Sequence, residues 1–138
     1  MNTNLAPHEI ENHLRQFTGT ENYHRHWMRK LVFTDGIKAM AEMCEAYWLI
    51  DLIASHQTSD LMKKCEDLQI WILKRIADPE TPDRFGFEAT CWKDTGGNNK
   101  PKITQVGKYT DFPLDEIKIY VAPGGPNGEI VMFLPSEY

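Results

Sequence analysis

The C-terminal half of the chain restricts the fold most, because short β-type segments follow one another there with turn sequences between them. Within 85–92, apolar and polar side chains alternate, as expected of a strand with one buried face. Further β-type segments lie at 103–109, 117–121 and 130–134, and glycine- or proline-containing turns separate them. Strands joined by such short turns are expected to be antiparallel neighbours.

The segment 68–76 is compatible with two types of secondary structure. Leu61, Leu68 and Ile72 have helical spacing, whereas residues 70–73 are rich in β-branched and aromatic side chains and fit a buried strand. We favour the strand. The loop that follows contains two prolines within four residues, which stop either element.

The N-terminal half is predicted to be mainly helical. Pro7 is tolerated in the first turn of a helix. Apolar residues follow it at helical spacing, namely Ile10, Leu14 and Phe17. A short strand at 30–33 precedes a stretch from about residue 37 to about residue 56 that is apolar around most of its circumference, which predicts one central buried helix. Thr34 or Asp35 can accept hydrogen bonds from the free amides of its first turn.

These patterns together predict an α+β fold in a single domain over residues 1–138. The N-terminal helices, with the central helix at about 37–56, are expected to pack on a C-terminal antiparallel β-sheet of about four to five strands. A chain of 138 residues can bury one hydrophobic core and is too short for two independent ones.

Composition excludes several classes of function. The net charge of −5 argues against a protein that binds nucleic acid by neutralising phosphates. The 3 cysteines fit no metal-binding spacing, which predicts reduced thiols in the cytosol. The N-terminus lacks the apolar core of a signal peptide, and acidic residues interrupt the apolar stretch at 39–54. We therefore expect a soluble, cytoplasmic protein that binds neither nucleic acid nor membrane.

Asp51 is the most informative residue of the predicted central helix. At about 100° per residue it falls on the apolar side of that helix, together with Tyr47. A carboxylate in that position must be paired, hydrogen-bonded or protonated, because burying a bare charge is very costly. Either Asp51 is structural and accepts hydrogen bonds from a backbone turn, a tyrosine or Arg25, or it lies at the floor of a pocket beside Tyr47 and Trp48.

The segment 23–27 carries His24 and His26, which share a face if the segment is extended. A metal ion would need third and fourth ligands that nothing else in the chain is spaced to supply, so no metal site is predicted. His26 beside Asp35 or Asp51 would form an acid–base pair, but no nucleophile context accompanies it. No catalytic residue and no cofactor are assigned. The candidate ligand-binding residues are Asp51, Tyr47, Arg25 and His26.

Five segments spread over the chain carry a resemblance to other proteins. They are LRQFTGTE at 14–21 followed by Tyr23 and His26, FTDG at 33–36, AYWLID at 46–51, TDFPL at 110–114, and LPSEY at 134–138. With these segments the chain resembles an uncharacterised family of small bacterial, plasmid and phage proteins. The resemblance implies no established activity and no cofactor. It implies a setting, because small proteins of mobile elements often bind and block a host factor.

Three hypotheses for function follow. The leading one is a non-catalytic domain that binds a host or phage protein, for example an inhibitor of a host defence complex such as a CRISPR effector. The alternative is a protein that binds or sequesters a nucleotide or metabolite in a pocket near Asp51. An acid–base enzyme that uses Asp51 and His26 is less favoured.

Two kinds of surface would distinguish these hypotheses. Acids with exposed aromatic side chains would support protein binding, because tyrosine and tryptophan dominate the energy of interfaces. A concave site with convergent polar groups would support a small ligand. The edges of an open sheet also favour strand pairing, so a homodimer is a further alternative.

Overall fold

The computed structural model describes residues 5–19, 22–27, 30–65, 67–81, 83–93 and 100–138. The helices are α1 (Pro7–Leu14), α2 (Asp35–Met43), α3 (Tyr47–Ser55) and α4 (Ser59–Cys65). The strands are β1 (Tyr23–Arg25), β2 (Leu31–Thr34), β3 (Gln69–Ala77), β4 (Phe85–Lys93), β5 (Ile103–Thr110), β6 (Glu116–Pro123) and β7 (Ile130–Phe133). A short 3-10 helix follows at Pro135–Glu137. In this described part of the chain, no helix is long and apolar enough to cross a membrane.

The described strands form one sheet of 7 strands in the order β1-β2-β7-β6-β3-β4-β5. The α+β class is confirmed, but the prediction of a purely antiparallel sheet of four to five strands is wrong. The sheet is mixed, because β2 pairs with β7 in parallel. It is also larger, because β1 and β2 from the N-terminal half extend it at one edge. Strands β5 and β6 are joined by a short bend and are not neighbours, since β6 lies between β3 and β7.

The helices cover one face of this sheet. Side chains that alternate along each strand pack with α2 and α3 into the main core, as a period of two requires. The strand residues of this core include Leu31, Phe33, Trp71, Leu73, Ile117, Ile119 and Val121. A smaller cluster lies on the opposite face and consists of Val32, Leu68, Val131 and Phe133, with Ile70, Tyr120 and Ala122 against it.

The central helix predicted at about 37–56 is in fact two helices. Helix α2 ends at Met43 and α3 begins at Tyr47. Between them Glu45 has a φ of 51°, in the left-handed region that stops a right-handed helix. Because the chain changes direction there, positions on α3 no longer continue the face of α2. The sequence has neither glycine nor proline at the break, and therefore gave no signal of it.

A hydrogen-bond network around Glu137 fixes the start of α2. The Glu137 carboxylate accepts hydrogen bonds from Thr34 Oγ1 at 2.7 Å, from the Leu134 amide at 2.9 Å and from the Gly36 amide at 3.3 Å. Thr34 Oγ1 in turn accepts from the Ile37 amide at 3.3 Å, so the predicted helix cap is confirmed. A Cβ on Gly36 would lie 2.6 Å from Glu137 Oε1, so a larger residue here would displace the carboxylate of this network.

All three cysteines pack in the interior. Cys44, Cys65 and Cys91 are at most 3 % exposed. Burial raises the pKa of the Cys44 thiol to about 12, and burial is also the main cause that raises the pKa of the Cys91 thiol. These two side chains are therefore neutral at physiological pH, as expected of thiols that serve as core packing.

Replacing Glu45 by glycine should raise the free energy of unfolding by about 0.5–1 kcal/mol, because glycine adopts a positive φ without strain at Cβ. Urea denaturation followed by circular dichroism measures the change. Lys38→Gly, within α2, is the control and should lower the free energy of unfolding by about 1 kcal/mol. A loss of similar size at both positions would contradict the left-handed conformation of Glu45.

Candidate functional site

Two histidine–aspartate pairs join the edge strand β1 to the helix layer. His24 Nε2 lies 2.8 Å from Oδ1 of Asp35, in the first turn of α2. His26 follows β1 directly, and its Nε2 lies 2.7 Å from Oδ1 of Asp51 on α3. The two rings face the helix layer from alternate positions of an extended segment, as predicted. Arg25 lies between them and is directed to the opposite face of the sheet.

Burial is reversed in the second pair. The His26 side chain is 3 % exposed, whereas the Asp51 side chain is 47 % exposed. The prediction that Asp51 turns inward among apolar neighbours is therefore wrong. The break at Glu45 changes the direction of α3, so the Asp51 carboxylate reaches solvent. One of its oxygens still forms a hydrogen bond with the His26 imidazole. A carboxylate only accepts hydrogen bonds, so Nε2–H of His26 is the donor.

This arrangement stabilises structure better than it supports proton transfer. In a catalytic histidine–aspartate pair the imidazole faces the substrate and the carboxylate holds it from behind. Here the imidazole of His26 is the buried group, and its Nε2 is occupied by Asp51. Since a buried polar group must keep its hydrogen bonds, the pair fixes the end of β1 against α3.

The first pair is more open to water. The side chains of His24 and Asp35 are 28 % and 31 % exposed. Asn22 Nδ2 also donates to Asp35 Oδ2, at 3.2 Å. The hydrogen bond from His24 is the main cause that lowers the pKa of Asp35, and the bond from Asn22 adds to it. A carboxylate in the first turn of α2 is further favoured by the helix dipole.

Trp27 is the prominent side chain that sequence reasoning missed. It directly follows His26 and is 78 % exposed. Its ring stacks on the His26 imidazole, with centroids 5.5 Å apart and an interplanar angle of 28°. The buried, hydrogen-bonded imidazole therefore supports an indole that remains in solvent. The only sequence signal was its position in a segment dense in aromatic and basic side chains, and that signal does not distinguish a surface tryptophan from a core one.

The other predicted site residues are brought together only in part. Tyr47 lies one turn before Asp51 on α3 and is 45 % exposed. Its hydroxyl donates to Glu42 Oε2 at 3.4 Å. Desolvation, with the Glu42 carboxylate as a second cause, raises the pKa of Tyr47. Arg25 lies on the other face, so it does not join His26, Asp51 and Tyr47.

Four grooves lined by described residues lie away from Asp51. One of about 330 Å³ runs between α1, the start of β6 and the 3-10 helix, and another of about 530 Å³ lies along α1 beside Met43. Smaller cavities lie beside Trp48 and under α3. None of these four is lined by Asp51 or His26. Within the described residues, no group of three or more histidine, cysteine or acidic side chains is placed to hold a metal ion.

In a comparison with known protein families, residues 8–138 match a family of unknown function, DUF6876. The chain belongs to this family. No curated protein and no solved structure matches it. The predicted resemblance to an uncharacterised domain is confirmed, and DUF6876 brings no activity, ligand or partner with it. The bacterial, plasmid or phage setting stays a prediction.

Replacing Asp51 by alanine should lower the free energy of unfolding by about 1–3 kcal/mol, because the buried imidazole of His26 loses its acceptor. Asp35→Ala is the matched control. Asp35→Ala should lower the free energy of unfolding by less, because water can replace the lost acceptor at the partly exposed His24. Urea denaturation of both variants gives the comparison. Losses below about 0.5 kcal/mol for Asp51→Ala would contradict the structural role of the pair.

The pH dependence of stability should reveal the first pair, His24 and Asp35. Because the pKa of Asp35 is lower in the folded chain than its ordinary value of 3.8, its stabilising contribution is complete above that value and is lost as the pH falls towards the folded pKa. The difference in unfolding free energy between the natural chain and Asp35→Asn should therefore shrink between about pH 5 and about pH 2. A difference that stays constant over this range would show that the carboxylate gains nothing from His24.

Proposed function

We propose that the protein is a non-catalytic protein-binding domain that uses the surface around Trp27. The observation that carries the proposal is the 78 % exposure of this indole. Tryptophan is large and strongly favoured in buried positions, so leaving one in water forgoes a considerable stabilisation. Tryptophan is also among the residues that contribute most to the binding energy of protein interfaces.

The indole is held in place before any partner arrives. It rests on His26, which is buried and donates a hydrogen bond to Asp51. Ordering a side chain at an interface costs about 0.5–1.5 kcal/mol, and an anchor that is already fixed avoids part of that cost. A supported, solvent-facing ring is therefore suited to insert into an apolar pocket of another protein.

Polar groups on α3, the helix whose Asp51 binds His26 under the indole, supply what a binding surface needs around such an anchor. The second oxygen of Asp51 lies on a side chain that is 47 % exposed, and Tyr47 lies one turn away on the same helix. The Glu42 carboxylate accepts a hydrogen bond from the Tyr47 hydroxyl. An aromatic anchor rimmed by carboxylates favours a partner that offers an apolar cleft bordered by N–H donors or cationic side chains.

The two other sequence hypotheses receive less support. A small-ligand site needs a concave pocket with convergent polar groups, and the cavities described above lie away from Asp51. An acid–base enzyme needs a base that faces its substrate, and His26 is buried. The finer form of the leading hypothesis, an inhibitor of a host defence complex, depends on the mobile-element setting and is proposed on that ground alone.

Affinity capture with matched baits tests the proposal. The natural chain, Trp27→Ala and Tyr109→Ala are each immobilised and exposed to a lysate of the host cell, and bound proteins are quantified by mass spectrometry. Tyr109 is the control because it is also aromatic and is 65 % exposed, but lies on β5 at the other edge of the sheet. The captured amount of a true partner should fall by about tenfold or more with the Trp27→Ala bait, as expected for a hot-spot residue. With the Tyr109→Ala bait, the captured amount should stay the same as with the natural chain.

Two results would overturn the proposal. One is that the three baits retain the same proteins in equal amounts. The other is that Trp27→Ala loses its partner only because it unfolds, which a thermal melt of each bait detects. Removing so exposed a ring should change the unfolding free energy by only about 0.5 kcal/mol.

A further inference from the structure

The two edges of the sheet differ in how well they are protected. Strand β1, at one edge, has 3 residues, whereas β5, at the other, has 8. An edge strand offers unpaired backbone N–H and C=O groups to any further strand, and natural proteins block such edges by shortness, prolines, charges or bulges. Shortness protects β1. Strand β5 carries one charge, Lys108, and its pairing with β4 becomes irregular after Gly107, but residues 103–107 contain neither a proline nor a charge.

The exposed edge also carries an apolar side chain at its centre. Val106 is 70 % exposed on the face of the sheet opposite the helices. The strand itself is fixed, because the neighbouring Gln105 faces the helix layer and its Oε1 lies 2.6 Å from His56 Nε2. Strand β5 is therefore a preformed template with a β-branched residue in the position that cross-strand pairing favours.

We propose that β5 pairs antiparallel with β5 of a second copy of this chain, about a twofold axis through Val106. The result is a homodimer in which one continuous sheet runs through both copies. Directly opposite residues of an antiparallel pair point to the same face of a sheet. The twofold axis must therefore pass midway between one residue and its own symmetry mate, and that residue identifies the register, which leaves few registers to consider.

Charge excludes the registers centred on Thr104 and on Gln105, and an axis at Ile103 would set the rest of β5 opposite residues that precede the strand. An axis through Thr104 places Lys100 opposite Lys108 of the second copy. An axis through Gln105 places Lys102 opposite Lys108 of the second copy. Like charges directly opposite each other destabilise a strand pair. These two registers would each set two such lysine pairs across the interface, because the symmetry repeats every contact.

The register centred on Val106 avoids this conflict. It sets the two valines against each other and places Thr104 opposite Lys108 of the second copy. An axis through Gly107 would leave no side chain at the centre, and it would fall where the pairing with β4 shifts register between Phe85 and Phe87. The Val106 axis thus combines an apolar centre with a regular stretch of strand.

Pairing at β5 leaves the opposite edge of each copy accessible. Strand β1 and Trp27 lie at the far end of the strand order, so the dimer presents its two Trp27 surfaces at the two ends of the joined sheet. The twofold axis is perpendicular to the sheet, so both helix layers lie on the same side of it.

Molecular mass in solution tests the dimer. Light scattering across a range of concentrations should give twice the monomer mass for the natural chain. Val106→Lys should shift the protein to the monomer, because it sets two lysines against each other on the axis. Ile76→Lys is the control, since it makes the same kind of change at a side chain that is 48 % exposed on β3, two strands from the edge. It should remain dimeric, and thermal melts should confirm that both variants fold.

Cross-linking tests the register. A cysteine introduced by Val106→Cys should form a covalent dimer when oxidised glutathione accepts the thiol hydrogens, because directly opposite residues bring their Cβ atoms close together. Thr104→Cys is the control and should not, because residue 104 lies opposite residue 108 of the second copy. The natural cysteines are buried and do not compete.

Three outcomes would overturn the proposal. The natural chain could be monomeric at every concentration, or Val106→Lys could remain dimeric like the control. Equal cross-linking by Val106→Cys and Thr104→Cys, or none by either, would contradict the axis through Val106. None of these measurements depends on a partner that binds Trp27, so the dimer and the proposed function stand or fall separately.

Discussion

The packing of α2 and α3 against one face of the sheet is the interaction on which the rest of the structure depends. Their apolar side chains, such as Ile37 and Ile50, join those of β2, β3 and β6 in one buried cluster. Burial of apolar surface is the dominant favourable term in folding, so it decides where these helices lie. Their placement brings Asp35 and Asp51 over the edge strand β1, where each carboxylate meets a histidine.

The elements of the sheet could be predicted because their signals are local. Alternation within 85–92 reflects the pleat of β4, and β-branched and aromatic residues around Trp71 mark β3. The strand order could not be predicted, because the parallel pairing of β2 with β7 and the position of β6 between β3 and β7 are contacts between distant segments. Nothing in one strand's own pattern specifies its neighbour.

The candidate site was predicted in its members more than in its geometry. The sequence points to both His26 and Asp51, and they contact each other, but it predicts the acid as the buried group whereas the structure buries the histidine. The error arose at Glu45, where a left-handed residue interrupts the face that was extrapolated along one helix. Trp27 was missed for a different reason. Whether an aromatic side chain is covered depends on the whole packed structure, and a single sequence holds no record of that.

The order of strands has a consequence for synthesis on the ribosome. Strands β3, β4 and β5 pair with neighbours in sequence, so this meander can assemble as soon as it has emerged. Strand β2 can pair early with β1 on one side only. On its other side it must wait for its parallel partner β7, which is the last of the described strands to be made. The hairpin that carries both histidines and the exposed indole therefore completes its backbone pairing only after β7 has been made. Until then it is a segment that chaperones can engage.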